Sequence, residues 1–568
     1  RGVATSVDLT IRNPGGVGLS LGAITIGATT GCTATVLTQP PATVAPGGSA
    51  TVRIRVVPSF DGPWTAALSL PSNDPFAAPL DVVLAGTAAN RAPTVAAGGY
   101  RAVMLPQTVP LDGTVSDANG DPVAVTWTQV DGPGSAVIAA PTAVDTAAAL
   151  PADGLYRFRL TARDATAAAT AEVAVIATLP GTTVVDNGMP GATDAGGWSA
   201  VSTPGYLGTG SRHITKDGSA TWSTVLPAGW YDAALFRVVG TRTATGQAVT
   251  VTSADGVFPG FAMDGATGVS GWQSLGLVRS DGAAPLRIRL DATAAGARAD
   301  AARFIALNGP VIDDGSPGFS LGGAWVTEPT GGQARSSHLR ATGPAATAAW
   351  VASFTGSAHP FLFRIPAPAG SDAWSVTSIG SAGTARFLVD GLTGQPGWVD
   401  LGRQAFAGTA RITLANPEGG GVRADMVRLA TDILLDNGQV GYSETGSWAA
   451  GTISGTGTTR QSSDPAARAR WRVSLPGGSY RVWWYRVVGS GSATAAQVTV
   501  THAGGVAAST WSLATGTPGW VDLGTFAFDG VGQVEASRTG TSLLRADAVR
   551  FEPVAATGDV TPTVGGNQ

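Results

Sequence analysis

One heptad is written three times in this chain: RADAARF from Arg298 to Phe304, RADMVRL from Arg423 to Leu429 and RADAVRF from Arg545 to Phe551. Other anchors recur around each copy, in constant order. Each segment opens on an acidic turn, Asp186-Asn187-Gly188, Asp313-Asp314-Gly315 or Asp436-Asn437-Gly438. A first tryptophan follows (Trp198, Trp325, Trp448), then a second in an apolar strand (Trp222, Trp350, Trp471). An aromatic-Arg pair comes next (Phe236-Arg237, Phe363-Arg364, Tyr485-Arg486), then a Gly-Trp before Leu-Gly (Trp272, Trp398, Trp520). The period is about 125 residues, far longer than a solenoid repeat. Such recurrence within one chain means three homologous domains.

Within each segment the apolar residues alternate, as in YRVWWYRVV and AQVTVTH, and no stretch sustains a helical i, i+3, i+4, i+7 pattern with caps. The 79 glycines and 36 prolines punctuate turns between short Val- and Thr-rich strands. The expected fold is all-β: tandem β-sandwiches in a row, two Ig-like domains followed by three jelly-roll-like domains. Polar, Pro-bearing breaks at GTAANRAPTVAAG and ATLPGTTVVDNG set the boundaries. They give 1–89, 90–180, 181–308, 309–431, 432–554 and a tail at 555–568.

The three C-terminal units resemble the golvesin C-terminal domain, also found at the end of xanthan lyases, in the opening Asp-Asn-Gly, the strand Trp, PGWVDLG and RADAVRF. The second unit departs from the pattern, with SAHPFLFRIP in place of an LPAG-Y strand entry. The resemblance implies carbohydrate-binding-like jelly rolls of secreted bacterial proteins. The first segment resembles the Ig-like repeat of choice-of-anchor D proteins in IRNPGG, VAPGGSATVRIRVVP and LSLPSNDPFAAPLDVVLAGTA. Ala50 stands where that family places a second cysteine, so the resemblance implies no bridge for Cys32, and its opening strand is shortened or absent. Residues from Asn90 to about Leu179 resemble a PKD-type domain, in NRAPTVAAG and LDGTVSDANGDPVAVTWTQVDGPG, with Trp127 as the inner-strand tryptophan.

Alternation along the heptad places Asp300, Asp425 and Asp547 on the buried side of a strand. A buried carboxylate needs a partner. The recurring arginines suggest three brackets, Asp300–Arg237, Asp425–Arg364 and Asp547–Arg486, with backbone amides as the other source of partners. The nine tryptophans at repeated positions read as core. Aromatics that break the repeat, Trp483, Trp511, Trp374, Trp230, Tyr206 and Tyr442, are the candidates for stacking on sugar rings. Trp483 and Trp484 are adjacent, so one of them points out of the sandwich. In SDANGDP, Asp117, Asn119 and Asp121 offer hard oxygens to calcium, and an Asx turn explains the same string.

No zincin motif, Cys-x-x-Cys pair or phosphate loop is present. The four histidines, His213, His338, His359 and His502, occupy non-equivalent places and read as surface residues. The single cysteine, Cys32, reads as a buried thiol. A net charge of −4 with no basic stripe argues against nucleic acid, and no apolar run approaches a membrane span. These features point to a non-catalytic, extracellular or cell-surface protein serving adhesion, glycan binding or structural extension, with polysaccharide or other surface proteins as partners. Two alternatives stand beside it. One is an accessory region of a secreted degradative enzyme whose catalytic part precedes Arg1. The other is a self-assembling fibre subunit that exchanges strands through its short first sandwich and its tail.

Overall fold

The computed structural model describes residues 2–208, 210–293, 295–329, 338–366, 373–393, 395–417, 419–538, 540 and 542–554. The tail 555–568 lies outside the described residues. The chain is all-β, and one short 3-10 turn at Tyr206–Gly208 is the sole helical element among the described residues. It forms two compact units, one of Arg1–Gly99, Val109–Ala149 and Tyr156–Ala174, the other of Tyr100–Thr108, Leu150–Leu155 and Val175–Gln568.

In the first unit, strands Thr5–Arg12, Ser49–Pro58 and Cys32–Thr38 form one sheet, and Thr25–Thr30, Gly62–Leu70 and Leu80–Ala88 another. Alternate residues of Ser49–Pro58 (Val52, Ile54, Val56) point between the sheets with no exposed surface. Cys32 is buried there, its thiol donating to Thr65 O at 3.3 Å. Further along, Ala124–Asp131 pairs antiparallel with Gly154–Arg163. Trp127 fills that core, its Nε1 donating to Val144 O at 3.0 Å.

The second unit holds the three repeats. In the first, Thr182–Asp186, Ala301–Ala306, Gly229–Arg237 and Gly271–Ser280 form a sheet over a second one built on Gly218–Thr224, Leu286–Ala292 and Gln247–Ser253. In the third repeat the matching strands run on without a break, as Arg468–Arg486 and Gly519–Arg538, with bulges at Leu475/Gly478 and Val482/Trp483. The second repeat has a similar continuous strand, Thr347–Arg364. The repeated strand tryptophans Trp222, Trp350 and Trp471 sit at 1%, 0% and 0% exposure, so they are core as expected.

The heptad is not one strand. It breaks at its acid: Ala297–Ala299 pairs into a small three-stranded sheet, and Ala301–Ala306 into the main sheet. The same break separates Val422–Ala424 from Val427–Ala430, and Leu544–Ala546 from Ala548–Val554. The acid therefore marks the corner at which the chain changes sheets.

Nor are the three repeats beads on a line. Arg303 of the first pairs with Asp529 of the third at 2.8 Å, and Gly477 N donates to Asp232 Oδ2 at 2.9 Å. The first and second share an apolar seam of Leu277, Phe363, Ile365 and Met426, flanked by Trp230 and Trp398. The second and third meet at His359 and Glu552. Burying these outer sheet faces supplies the hydrophobic gain that a free sandwich would leave in water.

Candidate functional site

Three repeated features converge on each sheet-switch corner. The strand tryptophan donates its Nε1–H to the acid's own carbonyl: Trp222 to Asp300 O at 2.9 Å, Trp350 to Asp425 O at 3.2 Å and Trp471 to Asp547 O at 3.2 Å. The opening turn adds a backbone bond in two copies, Asn187 N to Asp300 O and Asn437 N to Asp547 O. The side chains of Asp300, Asp425 and Asp547 are all at 0% exposure. Asp300 Oδ2 accepts the amide of Tyr206 at 2.5 Å, and Asp547 Oδ2 the amide of Thr456 at 2.8 Å. Gly205 and Gly455 precede those amides, and a Cβ at either would fall 2.0 or 2.2 Å from a carboxylate oxygen. Glycine is required there for the loop to reach the acid.

In the first and third repeats the arginine brackets are not what holds the acid. Arg237 donates to Val269 O at 2.7 Å and Arg486 to Thr517 O at 2.6 Å. Arg364 donates to Asp390 O at 3.0 Å and Gln395 O at 2.9 Å. Each arginine ties down the loop before its Gly-Trp, and in the first and third repeats backbone amides serve the acid instead. The reason is the corner: alternation along a strand places an acid and an arginine on one face only while the strand continues. Burial, with the neighbouring Asp186 charge, pushes Asp300 up to about 8 against the Tyr206 amide. Burial likewise raises Asp547, reinforced by Asp436 and opposed by the Thr456 amide.

The outer face of the main sheet carries a second repeated set. An aromatic and the Gly-Trp ring meet edge to face at 5.2, 5.2 and 5.3 Å: Phe236–Trp272, Phe363–Trp398 and Tyr485–Trp520. The heptad's second arginine lies over the indole, Arg303 at 4.5 Å, Arg428 at 5.1 Å and Arg550 at 5.2 Å. In the first two repeats this face is turned into contacts with a sister repeat. The third adds Trp483, half-buried, with Arg481 at 4.6 Å and Arg550 at 4.9 Å from its ring. Its neighbour Trp484 is fully buried, which is the opposed pointing expected of adjacent strand residues. Trp483 Nε1 donates to Glu552 Oε2 at 2.8 Å, and Arg481 donates to Asp522 Oδ2 at 2.9 Å. Arg550 Nε is buried and makes no hydrogen bond among the described residues.

The other sugar-stacking candidates sit elsewhere. Trp374 is a correction: it is at 0% exposure, with Nε1 donating to Gly421 O at 3.2 Å. Strand register makes it the equivalent of Gln247 and Ala496, which are also buried, so a residue that breaks the lettering still occupies a core position. Trp230 is half-buried against the seam between the first two repeats and lines a cleft of about 430 Å³ with Asp313, Asp314 and Arg279. Tyr206 packs against Trp272 at 5.0 Å, and burial pushes its hydroxyl up to about 12. Tyr442 lies against Trp471 at 5.4 Å and donates to Glu444 at 2.8 Å. Trp511 sits on the edge strand Gly505–Trp511, its Nε1 donating to Ser509 Oγ at 2.9 Å.

Asp117 Oδ1 accepts the amides of Asn119 at 2.8 Å and Asp121 at 3.0 Å, which is Asx-turn geometry, while Asn119 Oδ1 accepts Arg91 N at 2.9 Å. Asp164, which sequence spacing did not suggest, joins Asp117 and Asp121 within 4.8 Å.

Two histidines depart from the surface reading, since His338 and His359 are at 3% and 4% exposure. His338 Nε2 faces Glu328 Oε2 at 2.7 Å. His359 Nδ1 faces both oxygens of Asp400 at 3.2 Å, and Nε2 faces Glu552 Oε1 at 3.2 Å. Burial works against its charge, but Asp400 and Glu552 outweigh it and raise the imidazole above its ordinary value.

Residues 433–553 match the family model of the Golvesin C-terminal domain, and residues 97–177 match a family model of the PKD domain. No curated protein matches. Among solved structures, a Paenibacillus xanthan lyase is similar at 13% identity and a TM-score of 0.28, over 92% of this chain and 56% of that one. The chain thus spans about half the length of that lyase. The PKD domain of human KIAA0319 is similar at 21% identity and a TM-score of 0.15, over 16% of this chain and 84% of its own. A carbohydrate-binding module of the β-sandwich superfamily is similar at 13% identity and a TM-score of 0.15, over 39% of this chain and 98% of its own.

Proposed function

We propose that this chain, which carries a Golvesin C-terminal domain and a PKD-type domain, is an extracellular, non-catalytic modular protein that binds acidic polysaccharide through the outer face of its third repeat. The observation that carries the reading is the half-exposed Trp483 between Arg481 and Arg550, with one Arg550 N–H that has no acceptor among the described residues. An indole offers a flat apolar face to a pyranose, and a planar guanidinium suits a uronate carboxylate. Trp483 and Arg481 are letters that only the third copy has, set beside Arg550 and Trp520 of the repeated outer-face set.

Retention of the whole chain on immobilised polygalacturonate or alginate, against neutral dextran, tests this. Trp483→Ala and Arg550→Gln should each weaken retention about tenfold or more, as hot-spot truncations do. Equal retention on dextran, or retention unchanged in both variants, removes the reading.

Assembly by strand exchange is a second reading, favoured by the first sandwich. Among the described residues, strand Thr5–Arg12 pairs on one side only, with Ser49–Pro58, and Leu80–Ala88 likewise pairs only with Gly62–Leu70. Leu9, Ile11, Leu80 and Val82 line a groove of about 390 Å³ beside these edges. A strand from a second copy would fill it and complete the ladder. Concentration-dependent polymers in micrographs, abolished by Leu9→Lys, are the expected result, and a monomer at every concentration removes it.

A further inference from the structure

The junction of the second and third repeats gathers a histidine and carboxylates from three separate strands and turns. One ligand atom from each of His359, Asp432 and Glu552 lies within 4.8 Å of the others. His359 stands on Thr347–Arg364, Glu552 on Ala548–Val554, and Asp432 just before Ile433–Asp436.

What sets this cluster apart is how each group is held. His359 is fixed at Nδ1 by Asp400, which leaves Nε2 facing inward. Glu552 is fixed at Oε2 by the Trp483 indole N–H, 2.8 Å away, leaving Oε1 facing His359 Nε2 at 3.2 Å. Asp432 is fixed at Oδ2 by Arg403 at 2.8 Å, and its Oδ1 is buried without a hydrogen bond among the described residues. Every group thus has one atom anchored from behind and one left over. A metal-binding histidine with a carboxylate on its far nitrogen, and carboxylates braced by outer hydrogen bonds, have this arrangement.

Bonds of about 2.0–2.1 Å to tetrahedral zinc place neighbouring ligand atoms about 3.3 Å apart. The 3.2 Å between His359 Nε2 and Glu552 Oε1 meets that spacing. The imidazole selects against calcium and magnesium, which take oxygen alone. Charge is compatible. Asp400 and Glu552 flank His359, and Asp432 faces Arg403 at 2.8 Å and Arg550 at 3.9 Å, so three carboxylates stand with two guanidiniums. A divalent ion on a neutral imidazole leaves one positive charge over, which suits an anion or hydroxide in the fourth position.

We propose that His359 Nε2, Glu552 and Asp432 bind a divalent transition metal of the zinc class, with Asp400, Arg403 and Trp483 as its outer supports, and that the metal ties the second repeat to the third.

The whole chain, stripped with chelator and dialysed, is titrated with Zn²⁺ and separately with Co²⁺, without polysaccharide. One zinc per chain by elemental analysis, visible Co²⁺ absorption of a four-coordinate site and a raised melting temperature are expected. His359→Gln and Asp432→Asn should each lose the site, and Asp400→Asn should weaken it about 10- to 100-fold. No uptake of either metal by the wild-type chain overturns the proposal whatever the variants do, and so does equal uptake by a folded His359→Gln. Since no glycan is present, failure here leaves the polysaccharide reading to its own test.

Discussion

Trp471→Ala should cost the third repeat about 3–5 kcal/mol, the usual penalty for emptying a fully buried tryptophan site. Trp471 has no exposed surface, packs against Tyr442 and donates to Asp547 O. Its loss leaves a cavity under the sheet-switch corner and removes one of two donors to that carbonyl, the other being Asn437 N. Trp483→Ala, on the outer face of the same repeat, half-buried and bonded to Glu552, should cost about 1 kcal/mol, near the centre of the range for point substitutions. Thermal melts with limited proteolysis of both variants, side by side, check this. A chain this large has no single unfolding transition, so the early cleavage sites matter as much as the midpoint. Equal losses would mean that repeated and unrepeated tryptophans do the same work.

The stability of the first repeat should fall as pH rises from about 4 to about 8. Asp300 is pushed up to about 8 by burial first and by Asp186 second, and its Oδ1 has no hydrogen-bond partner among the described residues. The folded chain then holds a proton on Asp300 that the unfolded chain releases near its ordinary value. Stability from this group is fully present below that ordinary value and is lost as pH climbs through about 8. Asp313 and Asp314, raised chiefly by burial to about 6 and about 7, act in the same direction in the second repeat. Asp300→Asn keeps the shape, supplies a donor and removes the titration. The variant should match the wild type near pH 4 and exceed it at pH 8 by several kcal/mol, with a flatter pH profile. Melting midpoints across pH 4–9 decide it, and a wild-type midpoint that rises toward pH 8 contradicts it.

Periodicity served well where a strand keeps going. It assigned Trp222, Trp350 and Trp471 to the core and split Trp483 from Trp484. It misread the heptad because the chain changes sheets at Asp300, Asp425 and Asp547, and beyond such a corner alternate residues no longer share a face. A signal was available: Gly205-Tyr206 and Gly455-Thr456 stand at matching places, and a glycine that must touch a carboxylate leaves a mark in the lettering. Trp374 was misjudged because novelty among copies was equated with exposure, whereas packing constrains volume at a position and leaves its letter free. His359 was missed for a related reason. Its equivalents are Asp232 and Arg481, three different charges at one outward strand position. Such a position reads as solvent-facing until the sister repeats are seen to cover it.

That covering has a consequence for the history of the chain. Sandwiches strung on linkers can be gained or lost singly, since each carries its own complete surface. Here Arg303 and Asp232 of the first copy answer to Asp529 and Gly477 of the third, and Phe363 and Met426 of the second answer to Leu277 of the first. Deleting the third copy would strand the buried Arg303 and Asp232 of the first, and deleting the first would bare Phe363 and Met426 of the second. The three copies complete one another's surfaces.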